Sequence, residues 1–143
     1  MAESILRREA GGRIQAFSAG SHPTGRVNPC AIDLLRERGY PVDGLRSKSW
    51  VEFGGDAAPR FDVVVTVCDA AASEACPVWP GQPVKAHWGM PDPAAVEGSA
   101  ADKRAAFVQA FDLLAVRIRA FVASHVARLD REALTRALRE IAA

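Results

Sequence analysis

Residues 61–93 read FDVVVTVCDAAASEACPVWPGQPVKAHWGMPDP, and this stretch decides the fold. Val63, Val64, Val65 and Val67 make a short, almost unbroken β-branched run, the pattern of a strand covered on both faces rather than one with a wet face. Cys68 closes that strand. Val84 to Trp88 is a second candidate strand after the turn-rich PVWPGQP, and Asp92 follows it, held before Pro93. Open α/β sheets bind ligands outside the carboxyl ends of their strands. Two thiols, Cys68 and Cys76, and one carboxylate, Asp92, therefore lie at or beyond strand ends, where a site is expected.

Upstream of this stretch, Met1 to Ala10 reads as a helix with Ile5 and Leu6 on one side and Gly11-Gly12 as its stop. Neither an N-cap nor a first turn precedes Ala2-Glu3-Ser4, so the chain is expected to enter mid-helix. Ile14 to Phe17 predicts a short strand, and Ser18-Ala19-Gly20-Ser21 a small-residue turn that lets the backbone approach something closely. Asn28-Pro29 marks a helix start, followed by Ile32, Leu34 and Leu35 and a stop at Gly39. Ser49 and Glu52 have the spacing of a capping box for a brief helix ended by Gly54-Gly55.

Downstream, Ser99 and Asp102 form a second capping-box pattern. It opens a long helix whose Phe107, Phe111, Leu114, Ile118, Phe121 and Val122 keep helical spacing and predict core. A last helix follows Asp130, with Leu134, Leu138 and Ile141 on one face and Arg131, Arg136 and Arg139 off it on a solvated one. Strand and helix alternate as in an α/β protein with a small parallel sheet and helices on both faces, in one domain over residues 1–143.

With 143 residues, 49% hydrophobic and 24% charged, the chain can bury about two-thirds of its unfolded surface in one core. A net charge of +1 gives no field that would draw nucleic acid or an acidic membrane. No apolar run approaches a membrane span, and the charged MAESILRREA is unlike a signal peptide, so a reducing cytoplasm is expected. Three cysteines argue against a secreted disulfide framework. Cys68 and Cys76 form Cys-x7-Cys across a small-residue loop; they are either two unrelated loop thiols or a pair that meets if the loop folds or partly unwinds. No zinc spacing occurs, and neither metal nor cofactor is expected.

Met1-Ala2-Glu3-Ser4-Ile5-Leu6, the Ser18-Ala19-Gly20 turn, Thr66-Val67-Cys68-Asp69, Ala75-Cys76-Pro77-Val78-Trp79-Pro80-Gly81, and His87-Trp88-Gly89 leading to Asp92-Pro93 resemble, in order and spacing, one family over essentially the whole chain. It is the arsenate reductases built on the low-molecular-weight tyrosine phosphatase fold. The resemblance implies that Asp92 is the general acid and that Cys68 and Cys76 are redox cysteines, which simple phosphatases of this fold lack. In the implied cycle a further cysteine forms a thiol–arsenate adduct, Cys68 attacks that cysteine and expels arsenite, and Cys76 closes a Cys68–Cys76 disulfide. A flexible Ala70-Ala71-Ala72-Ser73 segment suits that motion. The implied partners are an arsenate or phosphate oxyanion and a thiol reductant of thioredoxin, glutaredoxin or mycothiol type. His22 and His87 lie beside these motifs without an assigned role.

The family begins with one further strand and a Cys-x5-Arg-Ser loop that cradles the oxyanion, after which comes the helix that continues Met-Ala-Glu. This sequence starts at that methionine, so the central strand, the nucleophile and the anion-binding arginine are expected to be missing and the chain inactive as written. Cys30 and Arg36 repeat the spacing, but Ala31-Ile32-Asp33-Leu34-Leu35 is apolar helix that cannot turn amides around an anion. A strand missing between Ile14–Phe17 and Val63–Val67 would leave edges that invite self-association. A phosphatase of the same fold and a non-catalytic binding or regulatory remnant are the alternatives.

Overall fold

The computed structural model describes residues 1–75 and 77–143. Its sheet has two parallel strands, β1 (Val63–Thr66) and β2 (Val84–His87), in a register that sets Val63 opposite Val84 and Thr66 opposite His87. Among the described residues five α-helices accompany it: α1 (Ala2–Ala10), α2 (Pro29–Glu37), α3 (Asp69–Ser73), α4 (Ala100–Ala123) and α5 (Arg131–Ala142).

Local chemistry sets the helix ends. α1 has no side-chain cap at its start, and it stops where Gly11 turns left-handed at φ 55°. Asn28 accepts the Cys30 amide at 2.9 Å and Pro29 sits in the first turn of α2. At α4, Ser99 and Asp102 cap each other's backbone reciprocally, as expected, and Asp130 accepts the Ala133 amide to open α5. The aromatic and aliphatic stripe of α4 then does what its spacing predicts. Phe107, Phe111, Leu114, Ile118 and Phe121 are buried, with α1, α2 and α5 packed against α4. α5 also covers β2, so Leu134 and Leu138 close the core from the sheet side.

Three expectations need correction. Ile14–Phe17 forms no strand; the nearest pairing is a single parallel bridge between Gly20 and Ser49. A strand requires a ladder partner for its backbone groups, and none of the described residues offers one here. β1 is not covered on both faces either, since all four of its residues are half-buried. Val63, Val65 and Val67 point to the core while Val64 lies outside that cluster, the alternation of a strand with one packed face. Its edge away from β2 meets no strand among the described residues. The expected capping box at Ser49 is half made: Ser49 accepts the Val51 amide, but Glu52 pairs with Arg46.

A buried ion pair ties the N-terminal region together. Glu3 and Lys48, 3% and 6% exposed at their side chains, lie 3.6 Å apart, and Arg7 and Ser18 also donate to the Glu3 carboxylate. Charges this deep persist only when paired and hydrogen-bonded. The pair fixes the Ser18-Ala19-Gly20 turn and the Lys48–Ser49 segment onto α1. Toward the other end of α1, Glu9 accepts from the Tyr40 hydroxyl at 2.8 Å and from Arg119 at 3.1 Å, joining α1, the turn after α2, and α4.

Candidate active site

Cys68 leaves β1 two residues beyond Thr66 and becomes the N-cap of α3, its sulfur accepting the Ala71 amide at 3.4 Å. Alanine favours helix, and the Ala70-Ala71-Ala72-Ser73 stretch expected to be flexible is a helical turn instead. Ala72 donates to the Cys68 carbonyl at 3.2 Å and the Ser73 hydroxyl to that of Ala70 at 2.8 Å. The Cys68 side chain is half-buried and forms no disulfide among the described residues. Cys76, its expected partner, lies outside the described residues.

Asp92 belongs to the same end of the sheet, on the loop leaving β2. It caps a short turn, Pro93–Ala95, by accepting the Ala94 amide at 2.9 Å, and its side chain is exposed. The stalk beneath it is firmly held. The Trp88 amide donates to Thr66 at 2.8 Å and that of Met90 to Val67 at 3.1 Å, extending the β1–β2 ladder past both strands. Trp88 is buried and its indole donates to the Leu138 carbonyl at 3.1 Å. Arg117 of α4 donates to the carbonyls of Trp88, Gly89 and Ala142, at 2.9, 3.2 and 3.2 Å. Cys68 and Asp92 thus share the carboxyl end of the sheet, one on a short helix and one on a loop braced from α4 and α5.

The two histidines without a sequence-level role have distinct surroundings. His87 lies between the Thr66 hydroxyl, 2.8 Å from Nδ1, and the Asp69 carboxylate, 3.0 Å from Nε2. His22 is exposed, 3.2 Å from the Ser21 hydroxyl and 3.4 Å from Glu74, the residue after α3. Cys30 sits at the start of α2 against the core, and Arg36 is on the same helix, so no anion-binding loop forms there. Sequence reasoning missed Thr66, Asp69 and Arg117. For Arg117 one signal was available, a cation set beside the Leu114, Ile118 and Phe121 stripe where a carbonyl has to be met.

Residues 1–135 match the family described as low molecular weight phosphotyrosine protein phosphatase. Arsenate reductases from Bacillus licheniformis and Bacillus subtilis are 33% and 31% identical, each over 85% of this chain and 84% of theirs. Among solved structures, an arsenate reductase in the phosphate binding state superposes with a TM-score of 0.63 at 26% identity, covering 86% of each chain. A thioredoxin-dependent arsenate reductase from Corynebacterium glutamicum matches with a TM-score of 0.58 at 24% identity, over 86% of this chain and 53% of that one. The parallel pair of strands, the flanking helices and the cysteine at the sheet's carboxyl end are thus found in a chain that belongs to the low molecular weight phosphotyrosine protein phosphatase family.

Proposed function

We propose that this chain carries the thiol half of an arsenate reductase, with Cys68 and Cys76 as the redox pair and Asp92 as the proton donor to the leaving oxygen. The observation that carries this reading is Cys68 itself, a free cysteine at the carboxyl end of the sheet that caps a short helix of small residues. The two thiols of the pair surrender two electrons and two protons on forming a disulfide, the number that takes arsenate to arsenite. The similarity to curated arsenate reductases favours this reading over a simple phosphatase of the same fold.

Residues 1–143 contain no Cys-x5-Arg-Ser sequence. On the proposed reading the nucleophile and the oxyanion cradle lie outside them, and with neither present the transition state has nothing to stabilise it. The 143-residue chain is then inactive alone, needs a thiol reductant of thioredoxin, glutaredoxin or mycothiol type once oxidised, and works in a reducing compartment such as the cytoplasm.

The test compares the purified chain with a version extended upstream by a strand and a Cys-x5-Arg-Ser loop. Arsenate reduction that appears only in the extended version, and is lost in its Cys68→Ser and Cys76→Ser variants, supports the reading. Thiol-dependent reduction by the 143-residue chain itself overturns the inactivity, and aryl phosphate hydrolysis indifferent to both substitutions favours the phosphatase.

A further inference from the structure

We propose that His87 is a positioning residue which pins α3 through Asp69, and that release of this pin governs how readily the Cys68 sulfur becomes available to react. The inference rests on the redox reading of Cys68 given above. It starts from the size of α3. Five helical residues are too few to persist in water on their own, so the turn stands because its surroundings hold it. While it stands, the Cys68 sulfur faces the Ala71 amide at 3.4 Å. Opening the turn frees the sulfur from that contact.

The pin is made of three residues from two adjacent strand ends and the first residue of α3. Thr66 ends β1 and His87 ends β2, directly opposite each other in the register. In the neutral ring the Thr66 hydroxyl donates to Nδ1, which leaves Nε2–H to donate to Asp69 across 3.0 Å. Both ring nitrogens are thereby used, and the imidazole couples the rigid sheet end to the helix that starts one residue after Cys68. Gly89 provides a second, independent sign that this place is shaped for the pair. A Cβ at position 89 would lie 2.7 Å from His87 Nε2 and 2.9 Å from the Asp69 carboxylate, closer than real side chains approach. A side chain there would force His87 or Asp69 to shift. At the far end of the turn His22 lies 3.4 Å from Glu74, a longer contact that supplements the first.

The pin is weak enough to release. His87 is 40% and Asp69 87% exposed at their side chains, so water screens the pair. The expected effect is therefore about two- to fivefold, the range that a solvent-exposed pair of this kind supports.

The experiment uses the full chain with Cys30→Ser and Cys76→Ser, which leaves Cys68 as the sole thiol. Alkylation of Cys68 by iodoacetamide and hydrogen exchange of the Ala71 and Ala72 amides are measured together, with a denaturant melt of each variant. Asp69→Ala and His87→Ala are each expected to raise both rates about two- to fivefold, and the double variant to do no more than either single change. Asp69→Asn keeps an oxygen that accepts from Nε2–H, so its amide exchange should stay near that of the starting chain. Gly89→Ala should resemble Asp69→Ala. Unchanged exchange in Asp69→Ala and His87→Ala, or fully multiplicative effects in the double variant, would overturn the pin. These readouts do not depend on where Cys68 finds its partner; a failed redox reading would show up separately, in disulfide mapping of the chain that retains Cys76.

Discussion

Ile5, Leu34, Leu35 and Leu138, on α1, α2 and α5, are closed from solvent, whereas the valines of β1 are half-buried and Phe17 keeps 44% of its surface exposed. Both regions are apolar in sequence. A helix satisfies its own backbone and needs only one stripe covered, which α4 provides for its neighbours. A strand needs partners along its edges as well as cover on its faces, and β1 has a strand on one side only among the described residues. Phe17, Phe53 and Phe61 pack edge-to-face with one another, and Trp79 packs on Phe61, with centroids 5.5–5.9 Å apart, forming a small aromatic cluster separate from the main core.

The largest expected effect lies in the closed half. Leu35→Ala or Leu138→Ala should each cost about 2–5 kcal/mol in denaturant melts, because each empties a site with no access to solvent. Phe17→Ala should cost well under that, since nearly half of the ring is already wet. Equal losses would mean that the aromatic cluster is a second closed core and would break the comparison.

Next comes the buried ion pair. Lys48→Met strands the Glu3 carboxylate with fewer donors and should cost about 3 kcal/mol, whereas Glu3→Gln combined with Lys48→Met should recover much of that loss. A double variant less stable than Lys48→Met alone would show that the charges themselves stabilise the fold. The edge of β1 that meets no strand among the described residues is expected to lower stability and promote association. Compared with the upstream-extended version, the 143-residue chain should melt at lower denaturant and sediment as larger species at high concentration. Val64→Lys should suppress the association. Equal midpoints with both forms monomeric would mean that the edge is already satisfied.

Much of the helical half was legible because its signals are local. Asn28-Pro29, the Ser99/Asp102 box, Asp130 and the α4 stripe each act within a few residues and needed no knowledge of the rest of the chain. Ile14–Phe17 and the two-faced burial of β1 were misread because strand pairing is decided by what lies alongside, which a residue pattern does not contain. The site was legible in part. The positions of Cys68 and Asp92 at strand ends were legible, their roles being implied only by the family resemblance, while the Thr66–His87–Asp69 contact depends on a register between residues about twenty positions apart. The helical state of Ala70–Ser73 was hidden by its small side chains, which suit a mobile loop and a helix alike.

The smallest expected effect is a pH dependence from the network that joins α1 to α4. The Tyr40 hydroxyl, above all, and Arg119 hold the Glu9 carboxyl below its ordinary value of 4.5. A depressed carboxylate contributes stability that is present above its unfolded pKa and is lost as pH falls through the folded one. Stability should therefore decline below about pH 5, and Glu9→Gln should flatten a modest part of that slope. An unchanged slope in melts between pH 3 and 6 would place the titration elsewhere.

The redox reading of Cys68 is tested most directly by mild oxidation of the 143-residue chain followed by peptide mapping of its disulfides. The account predicts a Cys68–Cys76 bond, with Cys30 left as a free thiol at the start of α2. Cys30 as the preferred partner of either cysteine would contradict it.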